Sequence, residues 1–220
     1  MIQKTEFDAD TQESVSANGK HSTPKTWRRR GYLFSKRVFD ISAALIAGIL
    51  LLVPMLVIAL IIRIESPGPA IFKQKRMGQY GKVFTIYKFR TMRMEAPSDK
   101  ATRDMCDSKK YITKLGAFLR RTSIDELPQI MNILNGTMSF VGYRPVCLTE
   151  CDLNRMREEK GVFEMRPGIT GYAQVNGRDN VTSEKKSDLD AEYVVRSGVK
   201  MDMWCLFATV KVIFTGEGVM

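Results

Sequence analysis

ISAALIAGILLLVPMLVIALII, residues 41–62, is a run of 22 residues without a charged side chain. As a straight α-helix it would be about 33 Å long, enough to cross the roughly 30 Å hydrocarbon core of a bilayer. It is too long, and too far from the N-terminus, to be the apolar part of a cleaved signal peptide. The segment therefore predicts a membrane helix.

Two features around this helix favour a segment that enters the membrane and returns over one that crosses it. Pro54 lies past the middle, where it removes a helical hydrogen bond and predicts a kink. Bases flank both ends, and the positive-inside rule places both groups on the cytoplasmic side. These bases are Arg28, Arg29, Arg30, Lys36 and Arg37 upstream, and Arg63, Lys73, Lys75 and Arg76 downstream. An ordinary single-pass helix stays open, because long domains follow the charge rule weakly.

The apolar segment divides the chain into three predicted parts. Residues 1–35 form a polar and basic tail, most of it expected to be disordered. Residues 36–63 contain the membrane helix, and residues 64–220 form the body. Residues 27–39 mix bases with aromatic rings, which suits a membrane interface, although a nucleic-acid-binding patch is the alternative.

Composition limits the classes of function. The chain has 34 Lys and Arg against 24 Asp and Glu, a net charge of +10, which favours an anionic partner such as nucleic acid, a membrane surface or a phosphate-bearing substrate. The four cysteines form no CxxC pair, which indicates reduced thiols in a cytosolic compartment. His21 is the only histidine and lies in the polar tail, so histidine-based acid–base or metal chemistry is not expected.

The body has the pattern of a compact α/β fold. KVFTIYKFRTM, residues 82–92, alternates like a strand, and AIFKQKR, residues 70–76, is its predicted hairpin partner. The alternation places Lys88 and Arg90 on the same face at the end of this strand. MSFVG predicts a buried strand. TKLGAFLRR predicts a helix with Leu115, Phe118 and Leu119 inward.

Two further helices are predicted near the C-terminus. TSEKKSDLDAEYVV, residues 182–195, predicts a polar helix. MWCLFATVKVIF, residues 203–214, is apolar but too short to span a membrane. It fits a core helix and a helix at the membrane interface equally well.

An acid pair stands out in RRTSIDELPQIMNIL, residues 120–134. Ser123 and Glu126 have the spacing of a capping box, and Asn135-Gly136 suits the end of the same helix. Asp125 and Glu126 are therefore expected at a helix N-terminus, where the helix dipole stabilises anions. Capping alone would explain Glu126, but Asp125 is not needed for it.

Arginines near the pair point to phosphate chemistry. Arg120, Arg121, Arg144 and Arg166 lie in or beside turns that carry Gly and Pro, such as GYRP and RPGITG. Arginines held in rigid turns suit bidentate phosphate binding. An acid pair among them suggests Mg²⁺ between carboxylates and phosphates. Neither a P-loop nor a GxGxxG motif is present.

Five motifs, in this order, resemble the bacterial sugar transferases, the monotopic phosphoglycosyl transferases: KRVFD, KFRTM, ITKLGAFLRRTSIDELPQIMNIL, GTMSFVG-RP and RPGITGYAQVNGR. The resemblance runs from Lys36 to Gly218. It implies transfer of a sugar 1-phosphate from a UDP-sugar to polyprenyl phosphate, with release of UMP and a requirement for Mg²⁺. It also implies a re-entrant helix, interfacial helices and a body on the cytoplasmic face of the bacterial inner membrane, at the first membrane step of polysaccharide or glycoconjugate synthesis.

The resemblance also assigns roles to individual residues. It makes Asp125 the nucleophile and Glu126 its acidic partner, with both near the metal. The residues implied in substrate binding are Lys88, Arg90, Arg120, Arg144, Pro145, Arg166 and Asp190. Two positions depart from the family pattern. Val53 replaces a serine before Pro54, which predicts a less sharp bend. Tyr143 replaces a proline, which predicts a less rigid GYRP loop.

Two other functions are compatible with part of the sequence. A non-catalytic basic scaffold at the membrane surface explains the charge and the apolar helix, but not the acids among arginines. A membrane-tethered nucleic-acid binder lacks a recognisable binding module, and its aromatic residues group with apolar runs instead of alternating with bases. We therefore expect membrane lipid and the two substrates as partners, and no nucleic acid. The sequence does not distinguish the sugar.

Overall fold

The computed structural model describes residues 26–96, 108–177 and 181–215. The first 25 residues of the predicted tail, residues 1–35, lie outside these ranges. The described chain is a mixed α/β fold that begins with one long helix, α1, Thr26–Glu65, as the sequence predicts. Pro54 lies inside this helix, which continues on both sides of it. The helix begins ten residues before the predicted boundary at residue 36.

One stripe of α1 contacts the body along most of the helix. Its members recur every three or four residues, the spacing of a single helix face. They are Tyr32, Leu33, Lys36, Arg37, Asp40, Ala44, Ala47, Leu51, Met55, Ile58, Ala59 and Ile62. Residues before and after Pro54 both belong to this stripe, so both halves of the helix pack against the body.

The remaining faces of α1 are apolar and open. Ile49, Leu50 and Ile64 are each more than 70% exposed, and the neighbouring aliphatic side chains are also largely exposed. Among the described residues, α1 is the one helix long and apolar enough to cross a membrane. Only 6% of its most apolar window is buried, so α1 is not a core helix. Such a surface is expected to be covered by lipid.

The KRVFD motif fixes α1 to the body through polar contacts. Arg37 donates to the carbonyls of Ile133 and Leu134, which lie at the end of a short helix, at 2.7 and 3.1 Å. The carboxylate of Asp40 is buried and accepts from the Ser139 hydroxyl and the Phe140 amide, both at 3.1 Å. Basic side chains commonly satisfy the last carbonyls of a helix.

A β-hairpin follows α1, as predicted. Strands β1, Ile71–Met77, and β2, Val83–Phe89, pair antiparallel, with Phe72 opposite Lys88 and Arg76 opposite Phe84. Helices α2, Ser108–Tyr111, and α3, Lys114–Arg121, come next. The prediction that Phe118 points inward is wrong: this ring is 46% exposed, while Leu119 is buried. The Phe118 ring lies at the surface, where the Arg121 guanidinium is above it. The buried face of α3 is therefore narrower than expected.

The rest of the chain forms a second small sheet surrounded by helices. A 3₁₀ helix, Ile124–Gln129, leads into α4, Ile130–Leu134. Strand β3, Ser139–Val141, pairs parallel with β4, Gly168–Thr170, and α5, Cys151–Glu159, lies between them in sequence. Gly142 and Gly168 let these strands approach closely, because a Cβ at either position would collide with the backbone of the other.

The last three helices are α6, Tyr172–Asn176, α7, Ser183–Arg196, and α8, Val199–Thr215. The polar helix and the apolar C-terminal helix are thus present as predicted. In α8, Cys205 is buried, whereas Trp204 and Phe207 are exposed. The helix therefore has a core side and an open aromatic side.

A partly buried polar cluster joins α1 to α7 and α8. The carboxylate of Asp202 accepts from Lys36 at 2.7 Å, from the Tyr32 hydroxyl at 2.8 Å and from the Tyr193 hydroxyl at 2.6 Å. All three donors reach one acid, so the N-terminal part of α1 is fixed to the C-terminal helices.

Candidate active site

The acid pair lies on the 3₁₀ helix Ile124–Gln129 and not at the N-terminus of an α-helix. The predicted capping box is wrong. Ser123 has φ 57° and makes no side-chain cap, and Glu126 bonds to other side chains instead. The physical reason is Pro128, which cannot donate a backbone hydrogen bond and favours a tight turn here. Gly136, with φ 85°, follows the end of α4 as predicted.

A buried asparagine holds this segment against the hairpin. Asn132 on α4 is fully buried, and its side-chain amide donates to the Thr85 carbonyl at 2.7 Å. Its side-chain oxygen accepts from the Tyr87 amide at 3.0 Å. The side chain thus bonds to the β2 backbone as a neighbouring strand would, and Lys88 on β2 comes to lie next to the acid pair.

Two cations share one oxygen of Glu126. Lys88 Nζ lies 2.7 Å from Oε1, and Arg144 Nη2 lies 3.0 Å from the same atom. Burial alone would raise the pKa of Glu126, but the charges of Arg144 and Lys88 hold this pKa well below its usual range. Glu126 is therefore ionised at neutral pH and positions two cations.

Asp125 has a different environment. It is 9% exposed, and burial raises its pKa above the ordinary value. Lys88, Arg144 and Arg120 oppose this rise through their charges, while Glu126 adds to it. Arg120 is itself held by a hydrogen bond from Nε to the Thr91 hydroxyl at 2.8 Å. The sequence-based expectation of a carboxylate stabilised by a helix dipole thus omits the larger effect on the pKa of Asp125, which is desolvation.

The GYRP loop, residues 142–145, is anchored by buried contacts of its Tyr143 side chain and by Arg157. The Tyr143 ring is buried between the Phe163 ring, with centroids 5.4 Å apart, and the Arg157 guanidinium, 5.3 Å away. Arg157 also donates to the Arg144 carbonyl at 2.9 Å and pairs with buried Asp190 at 2.6 Å. Packing therefore holds the loop where the sequence predicts less rigidity, because Tyr143 fills the space under it.

Some predicted site residues lie elsewhere. Arg90 is buried and donates to the carbonyls of Ser66 and Pro67. Arg166 donates from Nε to the Gly136 carbonyl at 2.9 Å. The structure brings Lys88, Arg120 and Arg144 around the acid pair, and Pro145 lines a small cavity together with Lys88 and Arg144. It connects Asp190 to the Arg144 carbonyl through Arg157. The substrate-binding roles of all these residues stay predictions.

Three residues near the site were missed by sequence reasoning. Asn132 and Arg157 are buried side chains whose partners are distant in sequence, so no local pattern identifies them. Arg76 lines a small cavity together with Lys88 and Arg144. The position of Arg76 could have been predicted from sequence. Arg76 lies four residues after Phe72, which is opposite Lys88 in the hairpin, so Arg76 and Lys88 share one face.

The site combines negative and positive groups in a way that suits phosphate chemistry. Two adjacent carboxylates lie among Lys88, Arg120 and Arg144. The described residues contain no cluster of three or more His, Cys, Asp or Glu side chains. Any metal would therefore depend on the carboxylate pair and on the oxygens of a bound substrate.

Comparison with known proteins supports a single relationship. The sequence matches the family described as bacterial sugar transferase over residues 31–216. It is 39% identical to the uncharacterized sugar transferase EpsL of Bacillus subtilis, with 84% of this chain and 89% of EpsL covered. It is also 39% identical to the UDP-glucose:undecaprenyl-phosphate glucose-1-phosphate transferase of Escherichia coli, with 80% of this chain but 39% of that protein covered.

A third relative carries a different sugar in its name. The undecaprenyl-phosphate galactose phosphotransferase of Salmonella typhimurium is 35% identical, with 86% of this chain and 42% of that protein covered. The chain thus spans less than half the length of the Escherichia coli and Salmonella relatives and most of the length of EpsL.

Proposed function

Because the chain belongs to the bacterial sugar transferase family, we propose that it transfers a sugar 1-phosphate from a UDP-sugar to polyprenyl phosphate and releases UMP. Two of its relatives are named for undecaprenyl phosphate as acceptor, with glucose and galactose as their sugars. The observation that carries the proposal is the buried Asp125–Glu126 pair surrounded by Lys88, Arg120 and Arg144. This reaction is the first membrane step in making a polysaccharide or glycoconjugate.

Asp125 is the proposed nucleophile. One carboxylate oxygen attacks the sugar-bearing phosphorus, the P–O bond to UMP breaks, and the electron pair leaves on the UMP phosphate. An oxygen of polyprenyl phosphate then attacks the same phosphorus, and the aspartyl P–O bond breaks to restore the carboxylate. A covalent intermediate lets UMP leave before the second anionic substrate reacts, which splits one difficult step into two.

The cations make this attack possible. A carboxylate and a diphosphate repel each other unless the phosphate oxygens are neutralised. Lys88 and Arg144 are fixed by Glu126, and Arg120 by Thr91, so their charges are in place before substrate binds. Preorganised charges of this kind need no rearrangement during the reaction.

The carboxylate pair also fits a Mg²⁺ ion. Mg²⁺ is commonly held by one or two carboxylates together with substrate phosphates and water. Lys88 and Arg144 both contact Oε1 of Glu126, so Asp125 and the other oxygen of Glu126 would hold the ion. When bound, Mg²⁺ supplies additional neutralisation of phosphate charge.

The membrane helix is proposed to be re-entrant, with the body on the cytoplasmic face of the bacterial inner membrane. Lys36 near one end of α1 and Ile62 near the other both contact the body. A helix that crossed the bilayer would place its ends on opposite faces, about 30 Å apart. Contacts at both ends instead favour a helix that stays on the side of the body.

A screen for UMP release tests the proposed function. The full chain in detergent, with Mg²⁺ and polyprenyl phosphate, is incubated with individual UDP-sugars. We expect UMP from at least one sugar, and none with Asp125→Asn. Asp152→Asn is the matched control, because Asp152 is an exposed aspartate whose contact is with Arg155 on the surface.

A second measurement tests the covalent step. Without acceptor, intact mass should show one sugar-phosphate adduct per wild-type chain, located at Asp125. Equal UMP release by wild type and Asp125→Asn, or an adduct at another residue, would contradict the mechanism. A non-catalytic scaffold should release no UMP from any sugar.

A further inference from the structure

A small cavity lies beside the acid pair and is rich in cations. It has a volume of about 30 Å³ and is lined by Arg76, Ile86, Lys88, Gln129, Arg144 and Pro145. Three of these six side chains are positively charged. Asp125, Glu126 and Arg120 do not line it. The cavity is therefore adjacent to the nucleophile but distinct from its immediate surroundings.

The size of the cavity limits what it can hold. A buried water requires roughly 10–15 Å³ of space. A cavity of about 30 Å³ thus accommodates two or three groups of the size of an oxygen atom, and not a sugar ring or a nucleobase. A space for oxygen-sized groups beside three cations suits the oxygens of an anion such as phosphate.

Arg76, one of the lining residues, also carries a hydrogen-bond donor that has no partner among the described residues. One of its terminal nitrogens donates to the Pro145 carbonyl at 3.3 Å, and the other donates to the Gln74 side chain. Within the part of the chain that the structure describes, its buried Nε–H has no hydrogen-bond acceptor. A buried donor without a partner is unfavourable, so a ligand oxygen that Arg76 reaches by a small side-chain movement would be stabilised.

We propose that this cavity binds the phosphate of the departing nucleotide, and that Arg76 is a substrate-binding residue for it. The inference rests on the proposed function, because a UDP-sugar has two phosphates. Asp125 attacks the sugar-bearing phosphorus, and the leaving oxygen must lie opposite the attacking one. The second phosphate therefore lies away from Asp125. As the P–O bond breaks, that phosphate gains a negative charge, which Arg76, Lys88 and Arg144 neutralise together.

Binding of UMP and of uridine to the full chain in detergent tests the proposal without turnover. The two probes differ by one phosphate. We expect Arg76→Gln to weaken UMP binding at least tenfold and to leave uridine binding unchanged, with Arg76→Lys in between. Lys75→Gln is the matched control, because Lys75 is the exposed neighbour on the same strand. It should change UMP binding less than twofold.

Two outcomes overturn the inference. Unchanged UMP binding in Arg76→Gln means that the cavity holds water alone. Equal weakening of UMP and uridine means that Arg76 merely supports the Pro145 loop. If Arg76→Gln does not fold, Arg76→Lys decides by the same comparison. Absence of UMP release from the wild type with every UDP-sugar would instead contradict the proposed function, so the two failures are distinguishable.

Discussion

Asp125 and Glu126 are neighbours in sequence, yet their surroundings move their pKa values in opposite directions. Burial raises the pKa of Asp125, whereas Arg144 and Lys88 hold the pKa of Glu126 below its usual range despite its burial. Acids whose pKa values are pushed apart commonly have different roles in one reaction. The poorly solvated Asp125 suits attack on phosphorus, and Glu126 suits the positioning of charge.

This difference predicts opposite effects of two isosteric substitutions on stability. An acid with a raised folded-state pKa destabilises the fold while it is ionised, so Asp125→Asn should raise the melting temperature at pH 7. Glu126→Gln leaves Lys88 and Arg144 without their shared carboxylate, and we expect a loss of about 3 kcal/mol. Thermal unfolding of both variants in the same detergent measures this.

The same two variants should both lose activity. We expect UMP release by Asp125→Asn to fall by several orders of magnitude although the fold is intact, and Glu126→Gln to be severely impaired. A melting temperature of Asp125→Asn that falls as far as that of Glu126→Gln would show that the two acids are equivalent structural groups, contrary to the assignment.

The raised pKa of Asp125 also predicts how activity depends on pH. The proposed nucleophile must be ionised, so kcat/KM should fall as the pH falls through a midpoint above the ordinary aspartate value of about 3.9. Arg144 lowers the pKa of Asp125 through its charge. Arg144→Gln should therefore move the acidic midpoint to higher pH.

Arg155→Gln serves as the control for this profile, because Arg155 is an exposed arginine in a surface pair. It removes the same charge from the chain and should leave the midpoint unchanged. Identical profiles for wild type and Arg144→Gln would mean that the acidic midpoint does not report Asp125.

The chemical groups of the site could be predicted from sequence better than their geometry. Asp125, Glu126 and Lys88 stand in recognisable patterns, and the structure brings them together. Arg90 was expected beside Lys88 because strands alternate, but β2 ends at Phe89 and the Arg90 side chain bonds to the carbonyls of Ser66 and Pro67. The capping box failed because Pro128 favours a 3₁₀ helix at this point, and the Glu126 side chain bonds to Lys88 and Arg144 instead.

At the scale of elements, the GYRP loop depends on a buried ion pair that is distant in sequence. Asp190 on α7 pairs with Arg157 on α5, and Arg157 in turn donates to the Arg144 carbonyl. Asp190, which the sequence suggested as a substrate-binding residue, thus contacts the loop through Arg157. We propose that Asp190 is a positioning residue.

Asp190→Asn is predicted to disturb stability and catalysis together. Burial raises the pKa of Asp190 as it does that of Asp125, but Asn at this position also leaves the Arg157 guanidinium buried without its counter-charge. We therefore expect a loss of about 3 kcal/mol in the free energy of unfolding. Because Arg144 is then held less firmly, kcat for UMP release should fall more than the affinity for uridine. Unfolding and steady-state kinetics measure the two effects.

Asp188→Asn is the matched control for that prediction. Asp188 lies on the same helix and pairs with Lys160, but its side chain is 58% exposed. Exposed pairs contribute little to stability, so this variant should resemble the wild type. If Asp188→Asn and Asp190→Asn changed stability and kcat equally, the buried Asp190–Arg157 pair would not have the proposed positioning role.

At the scale of the whole molecule, the elements were predictable and their arrangement was not. The apolar helix, the hairpin and the polar helix α7 follow from periodicity within each segment. The stripe of α1 that packs against the body could not be predicted, because it is as apolar as the exposed faces of the helix. The hydrogen bonds of Asp202 could not be predicted either, because the bonded residues are up to 170 positions apart in the sequence.

This arrangement bears on membrane topology. Lys36 and Tyr32 are fixed to Asp202, and Ile62 packs in a cluster with Leu119 and Phe89. If α1 crossed the bilayer, one of these contacts would have to break, and Lys36 or Asp202 would lose its charged partner in a low-dielectric medium. The contacts and the bases on both flanks therefore favour one membrane face for both ends of α1.

Cysteine labelling in intact cells measures this topology. Arg30→Cys and Lys82→Cys introduce thiols at exposed positions before and after the apolar segment. Cys106 and the exposed Cys151 are replaced by serine, while Cys147 and Cys205 stay because they are buried. A membrane-impermeant maleimide should label neither position until the cells are permeabilised, and both positions afterwards.

Pro54→Ala restores one helical hydrogen bond, so it should shift a fraction of chains towards a spanning helix, in which the thiol of Arg30→Cys is labelled from outside. In the chain that keeps Pro54, labelling of only one of the two positions from outside would show that α1 crosses the bilayer.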